Sequence, residues 1–115
     1  MSGTLMRNAY TAVIARGEPW QGSLQTEPYE VAWAGEALFF VRVLEAEGSG
    51  QAIARVQMSP DGMHWVNEGS QLTIAATAGH LSFVRVGAFG GWLRLSVDVP
   101  PATVITVVAT LALKA

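Results

Sequence analysis

Between Leu93 and Val99 the apolar residues Leu93, Leu95, Val97 and Val99 alternate with Arg94, Ser96 and Asp98. A β-strand turns successive side chains to opposite faces, so this period of two predicts a half-buried strand with one apolar and one polar face. From Thr103 to Leu113 the same period sets Ile105, Val107, Ala109, Leu111 and Leu113 against Val104, Thr106, Val108, Thr110 and Ala112. That second set is short and β-branched rather than charged. Over Leu38–Leu44, Phe39, Val41 and Val43 fall on one side, and Leu38, Phe40 and Leu44 accompany Arg42 on the other. A free sheet normally turns a polar set to water. The outer set of this strand therefore predicts a cover, either an arm of the same chain or a neighbouring subunit.

Turn residues cut the rest of the chain into similar lengths. Gly48-Ser49-Gly50 divides Ala37–Ala46 from Gln51–Met58, and Gly90-Gly91 divides Leu81–Phe89 from Trp92–Val99; both read as hairpins, the first ended by Pro60-Asp61-Gly62. Shorter strands are predicted at Tyr10–Arg16, Ser23–Gln25, Glu30–Trp33 and Gln71–Ala75. No stretch of a dozen residues joins a helical apolar period to recognisable caps. The pattern predicts an all-β chain, an antiparallel β-sandwich of jelly-roll type with about eight strands, folded as a single domain over residues 1–115. Gly17–Gly35, which holds Pro19, Trp20, Pro28, Tyr29 and Trp33, reads as a long connection or arm. Phe40-Val41-Arg42-Val43 recurs as Phe83-Val84-Arg85-Val86, an echo too short to establish a repeat.

Composition sharpens this picture. A chain of 115 residues can bury enough apolar surface to fold without disulfide or metal. Half of it is hydrophobic and only 14% is charged, against about a quarter in an ordinary soluble domain, so apolar surface is left over for a partner. The net charge is −2 and Lys114 is the one lysine, which argues against a nucleic-acid ligand. With no cysteine, disulfides, thiolate metal sites and a cysteine nucleophile are excluded together. Residues 1–10 lack the apolar core of a signal peptide, and Val104–Leu113 is too short to span a bilayer as a helix, so neither a membrane anchor nor an address is expected.

The most recognisable local motif is Ser59-Pro60-Asp61-Gly62-Met63-His64-Trp65. Ser59 offers a turn hydrogen bond, Pro60 presets its φ, Asp61 and Gly62 close the turn, and Trp65 packs back on the sheet. The string resembles the Ser-x-Asp-Gly-x-x-Trp turn of discoidin-like domains and of phage or phage-derived head and tail β-sandwich proteins. The resemblance extends to Phe83-Val84-Arg85-Val86 and Trp92-Leu93-Arg94-Leu95, within Ala52–Lys114, and implies a structural protein of decoration, tail or fibre type. The chain departs from the discoidin pattern in its length and its lack of cysteines, so no discoidin ligand site carries over. It departs from the sialidase Asp box because Asp61 and Gly62 are adjacent.

Catalytic chemistry finds little to build on. His64 and His80 have no partner at a metal or nucleophile spacing and read as loop histidines; pairs such as Glu30 with Glu36 or Asp61 with Glu68 arise in any small protein. Gly87, Gly90 and Gly91 do not lie between a strand and a helix, as a phosphate loop requires. No cofactor and no enzymatic activity are expected. The leading expectation is a structural assembly protein that forms homo-oligomers or docks on a larger particle, with Leu38, Phe40, Leu44, Trp20 and Tyr29 at the interface. The rival is a small carbohydrate-binding module in which Trp20, Trp33, Trp65 and Trp92, with Tyr10 and Tyr29, stack on sugar rings.

Overall fold

The computed structural model describes residues 9–87 and 89–115. Residues 1–8, where no signal peptide is expected, and residue 88, within the expected strand Leu81–Phe89, lie outside the described residues. The described strands are β1 (Ala9–Trp20), β2 (Ser23–Gln25), β3 (Tyr29–Glu30), β4 (Glu36–Glu47), β5 (Gln51–Ser59), β6 (Val66–Ala75), β7 (Leu81–Gly87), β8 (Trp92–Asp98) and β9 (Val104–Lys114). They form a β-sandwich of two antiparallel sheets. Sheet A has the order β1-β9-β4-β7; sheet B has the order β2-β8-β5-β6, with β3 also paired to β8.

The alternation read from the sequence becomes the core. Phe39, Val41 and Val43 of β4 and Ile105, Val107, Ala109, Leu111 and Leu113 of β9 point inward from sheet A. Ala52, Ala54 and Val56 of β5, Leu72 and Ile74 of β6, and Leu93, Leu95 and Val97 of β8 meet them from sheet B. Each set holds every second residue of its strand, which is why strands with one continuous apolar set sit in the middle of the sheets.

Two expected hairpins are connections between sheets instead. β4 lies in sheet A and β5 in sheet B, and the same holds for β7 and β8. Their glycines serve close packing. A Cβ on Gly48 (φ +88°) would stand 2.5 Å from the Ala102 carbonyl oxygen, and one on Gly91 (φ +73°) would collide with the Ser59 carbonyl. Only β5–β6, joined through residues 60–65, is a hairpin of neighbouring strands among the described residues.

Gly17–Gly35 is not an arm. β1 continues to Trp20, whose side chain is 2% exposed within the core. Beyond it, β2 and β3 pair along β8 at Ser23↔Asp98 and Tyr29↔Leu93, and Thr26 Oγ1 accepts the Leu95 N–H at 2.9 Å. The segment thus completes sheet B and leaves the outer face of sheet A to other contacts.

Candidate functional site

The two outer faces of the sandwich differ in chemistry. On sheet B the outward side chains satisfy one another. Asp98 accepts from Ser23 Oγ (2.7 Å) and from Arg55 (2.8 Å), Gln25 reaches Ser96 (3.3 Å), and Gln57 joins Asn67 (3.1 Å) to Arg94 (2.8 Å). The Ser23 hydrogen bond, and then the Arg55 contact, hold the Asp98 carboxyl below its ordinary pKa. Arg94 lies with its guanidinium carbon 4.1 Å from the centroid of the Trp65 ring, and burial lowers its pKa. This face is polar and internally bonded.

The outer face of sheet A is apolar around Phe40 and Phe83, with arginines and threonines among its other residues. Its rows cross all four strands: Val13, Thr110, Phe40 and Phe83 in one, Thr11, Ala112, Leu38 and Arg85 beside it, and Arg16, Val108, Arg42 and Leu81 on its other side. Leu81 is 61% and Phe83 57% exposed, and Leu44 stands out at a register shift after Val43. The echo noticed in the sequence acquires a geometric meaning here. Leu38-x-Phe40-x-Arg42 and Leu81-x-Phe83-x-Arg85 lie antiparallel on adjacent strands, so Phe40 faces Phe83, with ring centroids 6.0 Å apart, and each arginine faces a leucine. That spacing is within the range of favourable tilted ring pairs.

The expected interface residues separate accordingly. Leu38, Phe40 and Leu44 belong to the outer face of sheet A. Trp20 is core and presents no ring to a ligand or a subunit. Tyr29 is half-buried on the sheet B side. Of the tryptophans proposed to stack on sugars, Trp65 is covered by Arg94, and Trp92 lies beneath the hairpin loop, where a Cβ on Gly62 would come within 3.2 Å of its ring. Trp33 alone among the four is open, at 43% exposure. It lines a groove of about 440 Å³ with Ala9, Tyr10, Tyr29, Glu30 and Leu113, at the end of the sandwich where β1 begins and β9 ends. Sequence reasoning missed Leu81, Phe83 and Val13 as surface residues; the echo was the signal that could have found the first two.

The Ser59–Trp65 loop is a self-contained turn. Ser59 Oγ accepts the N–H groups of Asp61 (3.2 Å) and Gly62 (2.8 Å), and Asp61 Oδ1 accepts those of Met63 (2.8 Å) and His64 (2.9 Å). His64 Nδ1 lies 2.7 Å from the second Asp61 oxygen. These donors, led by the His64 and Met63 backbone, hold the Asp61 carboxyl far below its usual range. The other carboxylates of the candidate pairs are engaged separately. Glu30 accepts from Ala32 N–H (2.9 Å), Glu68 from Ser70 N–H (2.8 Å), and Glu36 lies 3.7 Å from Arg85. Among the described residues, no group of three His, Asp or Glu side chains is placed to hold a metal ion.

No protein-family model matches the chain, and no curated protein matches its sequence. Among solved structures, it is similar to a chain from the disulfide-linked pili formed by Bacillus endospore appendages. The TM-score is 0.59 over 99% of this chain and 94% of that one, at 9% sequence identity. At that identity the likeness establishes the fold.

Proposed function

We propose that this protein is a non-catalytic structural subunit that associates with copies of itself through the outer face of sheet A, within a larger assembly such as a capsid decoration, tail, fibre or bacterial appendage. The observation that carries the reading is the uncovered apolar face around Phe40 and Phe83. Four strands about 4.8 Å apart and three rows about 6.8 Å apart give that face an area on the order of 400 Å², arginines and threonines included. Apolar patches of a few hundred Å² on a monomer often mark an interaction site, and a stable pairwise interface takes about 800 Å² from each partner. Self-pairing is compatible with the charges. Turning one face over about the Phe40–Phe83 row exchanges position 38 with 42 and 81 with 85, so Arg42 and Arg85 of one copy lie over leucines of the other, while Arg16 lies over Thr11.

The likeness to a pilus chain supports a subunit fold. With no cysteine in these 115 residues, the disulfide linkage of those pili is not open to them. The sheet orders, with β2 and β3 taken as one interrupted strand, support an eight-stranded jelly roll, and the shared core supports one domain. Phe83→Glu tests the reading. Its exposed site leaves the melting temperature near that of the wild type, while the average mass in solution at a given concentration falls at least by half. An unchanged mass contradicts the assignment of this face.

A further inference from the structure

At the end of the sandwich where β1 begins, the space between the sheets stays open. Tyr10 pairs with Leu113 and Tyr29 with Leu93. Cross-strand partners share a face of their sheet, and both leucines are core residues, so the two tyrosines stand on the facing inner sides of sheet A and sheet B. Packed sheets lie about 10 Å apart. Tyr10 is nevertheless 56% exposed, whereas Ala12, two residues along the same side of β1, is 4% exposed. The groove of about 440 Å³ opens here, with Leu113, Trp33 and Glu30 completing its lining beside the two tyrosines and Ala9.

The walls are held in place. Trp33 lies in the turn after β3, where Ala34 N–H donates to the Val31 carbonyl at 3.0 Å. That turn is tied on either side: Val31 N–H donates to the Gly91 carbonyl at 2.7 Å, and Gly35 N–H to the Lys114 carbonyl at 2.8 Å. One oxygen of the Glu30 carboxylate accepts the Ala32 N–H at 2.9 Å, which fixes the charge at the groove. That charge has one sign, since Glu30 is the single ionised side chain among the lining residues. Lys114 follows Leu113 on β9, so its side chain belongs to the opposite face, where it stands across from Glu36 of β4.

We propose that this groove binds a quaternary ammonium group of the choline type, with its methyl groups against the rings of Tyr10, Tyr29 and Trp33 and its charge met by the Glu30 carboxylate. The faces of aromatic rings attract cations, and clustered rings are a recurring site for quaternary ammonium ligands. The volume falls within the range of small-molecule sites. Two other ligand classes suit the lining less well. An anion would meet Glu30 with no basic side chain to offset it. A sugar stacks on aromatic faces, but its hydroxyls need several polar partners, and the side chains here supply only one carboxylate and two phenols. A quaternary nitrogen has no N–H to satisfy, so ring contact and one carboxylate meet all its needs. Because Tyr10 lies on the inner side of β1, the site is separate from the outer face of sheet A, and each stands or falls without the other.

The test is saturation-transfer NMR on the full chain, observed on the ligand so that the size of any assembly does not matter. Choline is compared at constant ionic strength with its neutral carbon isostere, which has tert-butyl in place of trimethylammonium. Saturation of the aromatic protons should transfer to the choline methyl groups, and the isostere should bind about fivefold more weakly or worse. Glu30→Gln keeps an acceptor for Ala32 N–H but removes the charge; it should weaken choline by a similar factor and leave the isostere unchanged. Trp33→Leu keeps apolar contact and removes the ring, and should abolish choline binding with an unchanged β-type dichroism spectrum. If that variant does not fold, Tyr10→Leu takes its place. Phosphatidylcholine vesicles distinguish the source: co-sedimentation of the wild type but not of Trp33→Leu upholds the site with a lipid-borne headgroup, and its absence beside choline binding upholds it with a soluble ligand. Equal affinity for choline and the isostere overturns the proposal, as does a choline affinity that Glu30→Gln and Trp33→Leu leave unchanged. No transfer to choline at concentrations on the order of tens of millimolar also overturns it. Transfer to a neutral oligosaccharide and not to choline, lost in Trp33→Leu, overturns it in favour of a glycan site.

Discussion

Gly62 and Asp61 define the hairpin loop by different means. Gly62 has φ +78°, and its Cα faces the Trp92 ring closely enough that a Cβ would stand 3.2 Å away. Both the backbone and the ring oppose a side chain there, so Gly62→Val should cost about 1 kcal/mol or more in chemical denaturation. An unchanged midpoint would contradict this. Asp61 acts through charge. Because backbone N–H groups of His64 and Met63 bind its carboxylate in the fold, its folded pKa lies below its unfolded value. Its contribution is therefore present above the ordinary aspartate range, about pH 4, and is lost as pH falls through the folded value. Asp61→Asn should melt below the wild type at neutral pH, with the gap narrowing as the pH drops below about 4. A gap that is constant with pH would show that the carboxylate's charge is not what holds the turn.

Among the elements, the strands with strict alternation were the ones most legible in the sequence. Leu93–Val99 and Thr103–Leu113 alternate because each has one neighbouring sheet to face, and their inner sets are buried as the period requires. What alternation cannot express is whether a strand's successor lies beside it or across the core. Gly48 and Gly91 look like hairpin glycines, yet their missing side chains make room for the Ala102 and Ser59 carbonyls. Trp20 departs from its sequence reading for a related reason, since Gly17 and Pro19 suggest a loop while β1 carries Trp20 into the core across two register shifts. Of the candidate site, the outward Leu38, Phe40 and Leu44 could be read from their own strand, but Phe83 could not, because only pairing of β7 to β4 sets it opposite Phe40. The β8–β9 turn gives an element-level prediction. Ala102 in that turn has φ +60°, and glycine there relieves the left-handed strain, so Ala102→Gly should raise stability by about 0.5–1 kcal/mol in urea titration. A loss of stability would mean that Ala102 makes contacts that outweigh its φ.

At the scale of the whole molecule, the sandwich has one outer face whose polar side chains bond to each other and one whose apolar side chains do not find cover among the described residues. Such asymmetry is stable in water only at a cost that a second apolar surface removes. The proposed self-association through the outer face of sheet A rests on that difference. The measurement that bears on it most directly is the mass of the wild-type protein by light scattering across a dilution series. The account predicts a mass well above the 12.2 kDa of one chain at high concentration, falling toward it on dilution. A mass of 12.2 kDa at every concentration would contradict it.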